Sequence, residues 1–204
     1  MFDAEIRTHI DPPLNRMGRR MAAMGMTANT VTLTGLVLGL CAAAMIALGG
    51  PEAALIPLLL SRLADGLDGA IARATETTDF GGYLDITADF FFYGAIPLGF
   101  VLLDPAANGV AGAVLLLSFY VNGSSFLGFA IIAEKRGLST SAQGIKNLYY
   151  SGGLLEGFET IAFFVLLCLF SSAFAPMAHV FAGLCFFTAF LRVRHAFKLL
   201  SNLD

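Results

Sequence analysis

The chain is a succession of long apolar runs separated by short polar breaks. The six runs lie at 29–49, 52–74, 81–103, 107–133, 154–174 and 176–199. A membrane-spanning helix needs roughly 20 consecutive apolar residues, so each run predicts one transmembrane helix. Strands of a β-barrel would instead give short segments of alternating polarity. The pattern therefore predicts an all-α integral membrane protein with six transmembrane helices.

The segment 1–28 follows a different pattern. Apolar residues recur there at every third or fourth position, namely Phe2, Ile6, Ile10, Leu14, Met17, Met21 and Met24. This spacing predicts one apolar helical face, broken at Pro12-Pro13 and opposed by arginines, which is typical of a segment lying in the membrane interface. A disordered tail is the alternative. We predict a single membrane domain over 1–204, with this interfacial segment followed by a six-helix bundle at 29–199.

Composition and charge narrow the class of protein. Hydrophobic residues make up 57% of the 204 residues and charged residues 13%, and the mean hydropathy is +0.76. A soluble domain carries about a quarter charged residues, so these values exclude a soluble domain, a disordered chain and a coiled coil. The net charge of −3 provides no basic surface for a nucleic acid, which is therefore not expected as a partner.

The twelve Lys and Arg residues are placed asymmetrically along the chain. They precede the first run, follow the fourth, or lie toward the ends of the second and sixth, whereas the connections at 50–52, 104–108 and 171–176 contain none. An even number of spans brings both termini to one side of the membrane, where every basic residue then falls. Because basic residues mark the cytoplasmic side, we predict that both termini are cytoplasmic.

Four aspartates interrupt the second and third runs. Asp65 and Asp68 are three residues apart on one helix, and Asp85 and Asp89 are four apart on the next, so each pair shares a helical face. The turn between the helices is centred near Thr77, and the inner and outer acids lie at matching distances from it. An antiparallel hairpin would therefore bring four carboxylates together in the cytoplasmic half of the membrane.

Four neighbouring carboxylates cannot all stay ionised without compensating charge. Oxygen-rich clusters suit Mg²⁺, Mn²⁺ or Ca²⁺, and metal ions bridged by carboxylates commonly handle phosphoryl groups. Two alternatives remain open. In the first, the acids only pair with Arg62 and Arg73 and hold helices together, although two arginines do not balance four aspartates. In the second, they form the relay of a cation-coupled transporter, although they cluster at one end of the membrane and no inverted repeat is evident.

The spacing of these residues resembles the signature of the CDP-alcohol phosphotransferases, also called CDP-alcohol phosphatidyltransferases. The shared pattern is Asp65-x2-Asp68-Gly69-x2-Ala72-Arg73 followed by Gly81-x3-Asp85-x3-Asp89. The stretch between Arg73 and Gly81 is shorter than usual for the family, but it falls in the predicted hairpin loop. The segment from Thr27 to Thr32 resembles the start of the family's first helix, and GGLLEGFETIAFF resembles a bacterial inner-membrane branch.

The resemblance implies a role for each matching residue. It implies that two Mg²⁺ or Mn²⁺ ions are held by Asp65, Asp68, Asp85 and Asp89. It implies that Asp89 is the general base toward an acceptor hydroxyl. The residues implied to line the site for the CDP group are Asn29, Thr32, Gly69, Ala72, Arg73 and Gly81. It further implies a homodimer in the bacterial inner membrane whose active site faces the cytoplasm.

The implied reaction transfers a phosphatidyl group from CDP-diacylglycerol to a small alcohol and releases CMP. Glycerol 3-phosphate is the favoured acceptor, and a CDP-choline- or CDP-ethanolamine-type transfer to a lipid alcohol is the enzymatic alternative. A phosphate-bearing acceptor needs cations beside the metal site, and acidic side chains can bind acceptor hydroxyls. The candidates are Lys135, Arg136, Lys146, Arg192, Glu156 and Glu159. Each basic candidate can equally be an anchor on the cytoplasmic side, and the acids can equally cap a helix or pair with lysine.

Overall fold

A computed structural model describes residues 3–137, 155 and 157–201 of the chain. Within these residues the structure is helical and contains no strand. Its α-helices are α1 (Asp3–Ala23), α2 (Ala28–Ala47), α3 (Pro51–Ala74), α4 (Asp79–Leu103), α5 (Pro105–Lys135), α6 (Gly157–Leu169) and α7 (Phe174–Ser201). A 3₁₀ turn at Ser171–Ala173 separates the last two helices. The prediction of an all-α fold is therefore confirmed.

Among the described residues, four helical segments are long and apolar enough to cross a membrane. They are Ala28–Ala47, Asp79–Leu103, Pro105–Lys135 and Ser171–Ser201. The two remaining predicted spans correspond to α3, whose 24 residues carry several charges, and to α6, which has 13 residues. The structure is thus that of a multi-pass membrane protein with four candidate spans, and the count of six stays a prediction.

The predicted break at Pro12-Pro13 is wrong, because α1 runs without interruption through both prolines. A proline inside a helix removes one backbone hydrogen bond and leaves the carbonyl four residues earlier without its donor. Here those carbonyls belong to Thr8 and His9, and both residues are exposed. Exposed carbonyls can be hydrated, which lowers the cost of carrying the helix across the two prolines.

Side-chain caps define where three of the helices begin. The Thr27 hydroxyl accepts a hydrogen bond from the Thr30 backbone N–H at 3.2 Å before α2. The Thr78 hydroxyl accepts one from Gly81 at 3.0 Å before α4, and the Asp104 carboxylate accepts one from Ala107 at 3.0 Å before α5. These caps satisfy backbone donors that have no partner inside the helix. The first two caps also fix the helix starts that border the candidate site.

Helix α2 packs along both α3 and α4, and it does so through glycines. At Gly35 an added Cβ would lie 3.1 Å from the Cβ of Ala64 in α3, and at Gly39 it would lie 2.6 Å from the Phe92 ring in α4. The Ser61 hydroxyl of α3 donates a hydrogen bond to the Gly35 carbonyl at 2.7 Å. Small residues let the backbones approach closely, as is usual for helices in membranes. Helix α2 therefore sets the positions of the two helices that carry the aspartates.

Aromatic side chains fill the core where α4 meets α5, α6 and α7. Phe100 stacks on Phe174 with ring centroids 5.0 Å apart, and Phe163 stacks on Phe181 at 4.0 Å. Phe164 is fully buried among them. Through these rings α4 packs on α6 and α7 in addition to its contact with α2.

We predict that Gly99→Ala destabilises the fold, because its new Cβ would lie 2.6 Å from the backbone carbonyl oxygen of Ala43. Overpacking of this kind costs about 1–3 kcal/mol of unfolding free energy. The measurement is thermal unfolding of purified protein in detergent. Gly94→Ala is the matched control, because it lies in the same helix and its Cβ would meet nothing within 4 Å. Equal unfolding temperatures for the two variants would contradict the close approach of α2 and α4.

Candidate active site

Three carboxylates from two helices meet at the centre of the candidate site. Asp65 comes from α3, and Asp85 and Asp89 come from α4, one helical turn apart. One oxygen from each carboxylate lies within 4.8 Å of one from each of the others. All three residues are half-buried. The helical spacing predicted that four carboxylates would come together, and the structure brings these three into one group.

Asp68 lies one turn further along α3 and is buried, with 4% of its surface exposed. Its Oδ2 accepts a hydrogen bond from the Thr32 hydroxyl at 2.6 Å, so α2 supplies a partner for this carboxylate. A short hydrogen bond to a carboxylate both stabilises its charge and fixes its direction. Asp68 is therefore oriented from α2, beside the cluster of Asp65, Asp85 and Asp89.

A cleft of about 160 Å³ opens beside these carboxylates, between the start of α2, the end of α3 and the start of α4. Its lining residues are Ala28, Asn29, Thr32, Asp68, Gly69, Ala72, Glu76, Thr77, Thr78, Gly81, Gly82 and Asp85. Five of the six residues expected around a CDP group are among them, namely Asn29, Thr32, Gly69, Ala72 and Gly81. Asp68 and Asp85 belong to its wall, so the cleft and the carboxylates form one continuous site.

Arg73, the sixth residue expected around a CDP group, lies at the edge of the cleft and is exposed. Its Nε and Nη2 donate to Oδ1 of Asn15 in α1, at 3.3 and 3.0 Å. Its Nη1 lies 3.2 Å from the position that a Cβ on Gly69 would occupy. The absence of a side chain at Gly69 therefore leaves space for the guanidinium next to the cleft.

Arg62 is the residue whose importance the sequence analysis underestimated. Its Nη1 donates to Oδ1 of Asp89 at 2.8 Å and lies 3.5 Å from Oδ1 of Asp65. Its guanidinium carbon lies 3.7 Å from the centroid of the Phe92 ring. Arg62 precedes Asp65 by one helical turn, and that spacing was the available signal. The ion pairing considered as an alternative thus exists for Arg62, whereas Arg73 bonds to Asn15.

The described residues expected near an acceptor lie on or next to different helices. Lys135 ends α5 and Arg136 follows it, and both are exposed. Arg192 of α7 is buried, and its Nη1 donates to the carbonyl and side-chain oxygens of Asn122 and to the Ser125 hydroxyl, at 2.8–3.0 Å. Glu159 lies in the first turn of α6. Lys146 and Glu156 lie outside the described residues.

The donor set of the cluster fits a hard divalent cation. Carboxylate oxygens are the ligands that Mg²⁺, Mn²⁺ and Ca²⁺ prefer, whereas zinc prefers His and Cys. Asp65, Asp85 and Asp89 each offer an oxygen at the spacing needed to share an ion. The adjoining cleft is lined by small side chains and is partly polar. It can therefore admit an anionic ligand whose charge a bound cation would balance.

We predict that Arg62→Met destabilises the metal-free protein, because Asp65 and Asp89 then lose their cationic partner. The Arg62 side chain is largely buried but both carboxylates are about one third exposed, so we expect a loss of roughly 1–3 kcal/mol of unfolding free energy, less than at a fully buried pair. Thermal unfolding in detergent with a chelator measures this loss, and added Mn²⁺ is expected to restore much of it.

The matched control is Arg194→Met, which removes an exposed arginine near the end of α7. Its unfolding temperature is expected to stay within a degree or two of the wild type under both conditions. An equal loss for Arg62→Met with and without Mn²⁺ would contradict a charge-balancing role. It would instead mean that Arg62 stabilises the fold by packing on Phe92.

Comparison with known families gives a match over most of the chain. A family model described as CDP-alcohol phosphatidyltransferase matches residues 25–193. The inner membrane protein YnjF of Escherichia coli (strain K12) is 45% identical over 204 residues, which cover 100% of this chain and 99% of that protein. The matched region contains the aspartate cluster, the cleft residues and Arg62.

Further similarities agree with this match. The archaetidylinositol phosphate synthase of Pyrococcus horikoshii is 34% identical over 143 residues, covering 70% of this chain and 73% of that protein. Two crystal structures of the phosphatidylinositol phosphate synthase of Mycobacterium tuberculosis share the fold. The structure with CDP-DAG bound has a TM-score of 0.71 at 23% identity, covering 90% of this chain and 92% of that one. The complex with manganese and citrate has a TM-score of 0.72 at 22% identity, covering 90% and 88%.

Proposed function

This chain belongs to the CDP-alcohol phosphatidyltransferase family, and from that premise we propose that it transfers a phosphatidyl group from CDP-diacylglycerol to a small alcohol, releasing CMP. Members of the family are phosphotransferases, so the chain is an enzyme of that class. One observation carries the specific proposal. Asp68 and Asp85 form part of the cleft wall while Asp85 also belongs to the carboxylate cluster, so a nucleotide in the cleft would place its diphosphate beside the metal ligands.

Asp65, Asp68, Asp85 and Asp89 are proposed to hold two divalent cations, Mg²⁺ or Mn²⁺. When bound, such ions neutralise the diphosphate and stabilise the charge that develops on the leaving CMP. The manganese complex of the structural neighbour from Mycobacterium tuberculosis supports this choice of metal. The buried hydrogen bond from Thr32 fixes the direction of the Asp68 carboxylate, which supports its proposed role as a ligand.

Other residues of the site bind the nucleotide and transfer the proton. The cleft residues bind the CDP group, and Arg73 is placed to contact its diphosphate. Asp89 accepts the proton of the acceptor hydroxyl, and Arg62 holds Asp89 in place. The acceptor oxygen then forms a bond to the phosphatidyl phosphorus, the bond from that phosphorus to the bridging oxygen breaks, and CMP leaves with the electron pair.

For the acceptor we propose a phosphate-bearing alcohol, with glycerol 3-phosphate as the first candidate. The cations Lys135, Arg136, Lys146 and Arg192 are the residues proposed to meet its phosphate. The relative from Pyrococcus horikoshii is named for the synthesis of archaetidylinositol phosphate, so an inositol phosphate is the second candidate. Glu159 and Glu156 are proposed to bind hydroxyls of the acceptor.

Membership of the family also suggests a topology, an assembly and a location for the enzyme. We propose six transmembrane helices with both termini in the cytoplasm, a homodimeric assembly, and an active site that opens to the cytoplasm from the bacterial inner membrane. The relative from Escherichia coli is named as an inner membrane protein, which supports this location. A cytoplasmic site near the lipid surface lets a soluble alcohol meet a membrane-embedded donor.

The reaction can be tested with purified protein in detergent. We expect CMP release from CDP-diacylglycerol to require Mn²⁺ or Mg²⁺ and to occur with glycerol 3-phosphate. Parallel assays with inositol phosphate, serine and glycerol would rank the acceptors. CMP release only with an unphosphorylated alcohol would overturn the proposed acceptor class. No CMP release with any acceptor, together with cation flux in proteoliposomes, would favour the transporter alternative.

We predict that Asp89→Asn lowers the turnover number by about a hundredfold or more, because an amide cannot accept the hydroxyl proton. Binding of CDP in the presence of Mn²⁺ is expected to weaken much less, since Asp65, Asp68 and Asp85 remain. Asp79→Asn is the matched control, because Asp79 is an exposed acid in the first turn of the same helix. Turnover of Asp89→Asn at the wild-type rate would refute the general-base assignment.

A further inference from the structure

Helix α1 lies along a single stripe of α3. The stripe consists of Gly66, Ala70 and Arg73, which recur at four and three residues and so share one helical face. A Cβ added to Gly18 of α1 would lie 2.7 Å from the Cβ of Ala70 in α3. A Cβ added to Gly66 of α3 would lie 3.0 Å from Leu14 of α1. The two backbones are therefore in close contact. This contact leaves α1 little freedom to slide or rotate on α3.

Asn15 of α1 reaches the last residue of that stripe. Its Oδ1 accepts two hydrogen bonds from Arg73, one from Nε at 3.3 Å and one from Nη2 at 3.0 Å. Two donors on one acceptor fix the plane of the guanidinium as well as its position. An exposed arginine otherwise samples many rotamers, so this contact orders a side chain that would be mobile.

The ordered guanidinium lies directly beside the cleft. Its Nη1 is 3.2 Å from the place of a Cβ on Gly69, and Gly69 is part of the cleft wall. A chain of contacts therefore leads from Asn15 through Arg73 to Gly69. Because Asn15 is neutral, the positive charge of Arg73 remains available to an anion in the cleft, which an aspartate at this position would cancel.

We propose that Asn15 is a positioning residue for the donor nucleotide. It holds the guanidinium of Arg73 at the mouth of the cleft, ready for the diphosphate, and so makes α1 part of the nucleotide site. This inference rests on the proposed function, in which Arg73 contacts the CDP group. The affinity for the donor therefore depends on the packing of α1 against α3.

Equilibrium binding of CDP in the presence of Mn²⁺, measured by calorimetry on the full chain in detergent, tests this inference. We expect Asn15→Ala to weaken CDP binding roughly three- to tenfold, the effect of losing one such hydrogen-bonded contact. Asn15→Asp is expected to weaken it at least as much, because the carboxylate keeps the orientation but cancels the charge. Both variants should unfold at the wild-type temperature, since the contact is exposed.

A double-mutant cycle separates positioning from a general effect on the fold. In an Arg73→Met background, Asn15→Ala is expected to cause no further loss of CDP affinity, because Asn15 acts through Arg73. Thr8→Ala, an exposed polar change in the same helix, is the control and should bind CDP as the wild type does.

Two outcomes would overturn the inference and can be told apart. If the wild type binds CDP and Asn15→Ala binds it equally well, or if the losses from Asn15→Ala and Arg73→Met simply add, the positioning role is wrong while the proposed function stands. If the wild type does not bind CDP at all, the proposed function fails and this inference fails with it.

Discussion

A carboxylate enclosed by apolar helices is stable only where a cation, a hydrogen-bond donor or a proton meets its charge. This constraint governs the aspartate-bearing half of the molecule. Arg62 meets the charges of Asp65 and Asp89, and the Thr32 hydroxyl meets that of Asp68. Arg62 can meet Asp65 within α3 itself, whereas its bond to Asp89 of α4 and the bond from Thr32 of α2 to Asp68 form only when the helices assemble. The packing of these three helices therefore supplies partners for Asp68 and Asp89.

The small residues of α2 allow the close packing that brings these partners to the carboxylates. Thr32 can reach Asp68 only because Gly35 and Gly39 let α2 lie close to α3 and α4 at once. Since α2 contacts both of these helices, it holds the aspartates of α3 and α4 near one another. The cleft lies beside them, between the start of α2, the end of α3 and the start of α4. The same close packing therefore positions both the carboxylates and the cleft.

Much of this arrangement could be predicted from the sequence, because it depends on local spacing. The apolar runs gave the helices, and separations of three and four residues gave the shared faces of the aspartates. The partners of the arginines were harder to predict. Arg62 and Arg73 both lie one turn from an acid or a cleft residue in α3, and spacing alone does not tell which one pairs with a carboxylate. The path of α1 decides it, since Asn15 binds Arg73, and a contact between residues 58 positions apart leaves no local pattern.

The charge balance of the site agrees with the proposal of two metal ions rather than one. Asp65, Asp68, Asp85 and Asp89, when ionised, and Arg62 together carry a formal charge of −3. A single divalent cation would leave the site negative, and it would repel the diphosphate of a CDP-linked donor. A second divalent cation makes the site positive, and Arg73 at the edge of the cleft adds to the attraction. Arg62 contributes to this balance from the edge of the cluster, where its guanidinium lies against the ring of Phe92 and donates to Asp89. A buried arginine beside Asp89, the proposed general base, is thus consistent with a site whose metal-loaded form attracts an anion.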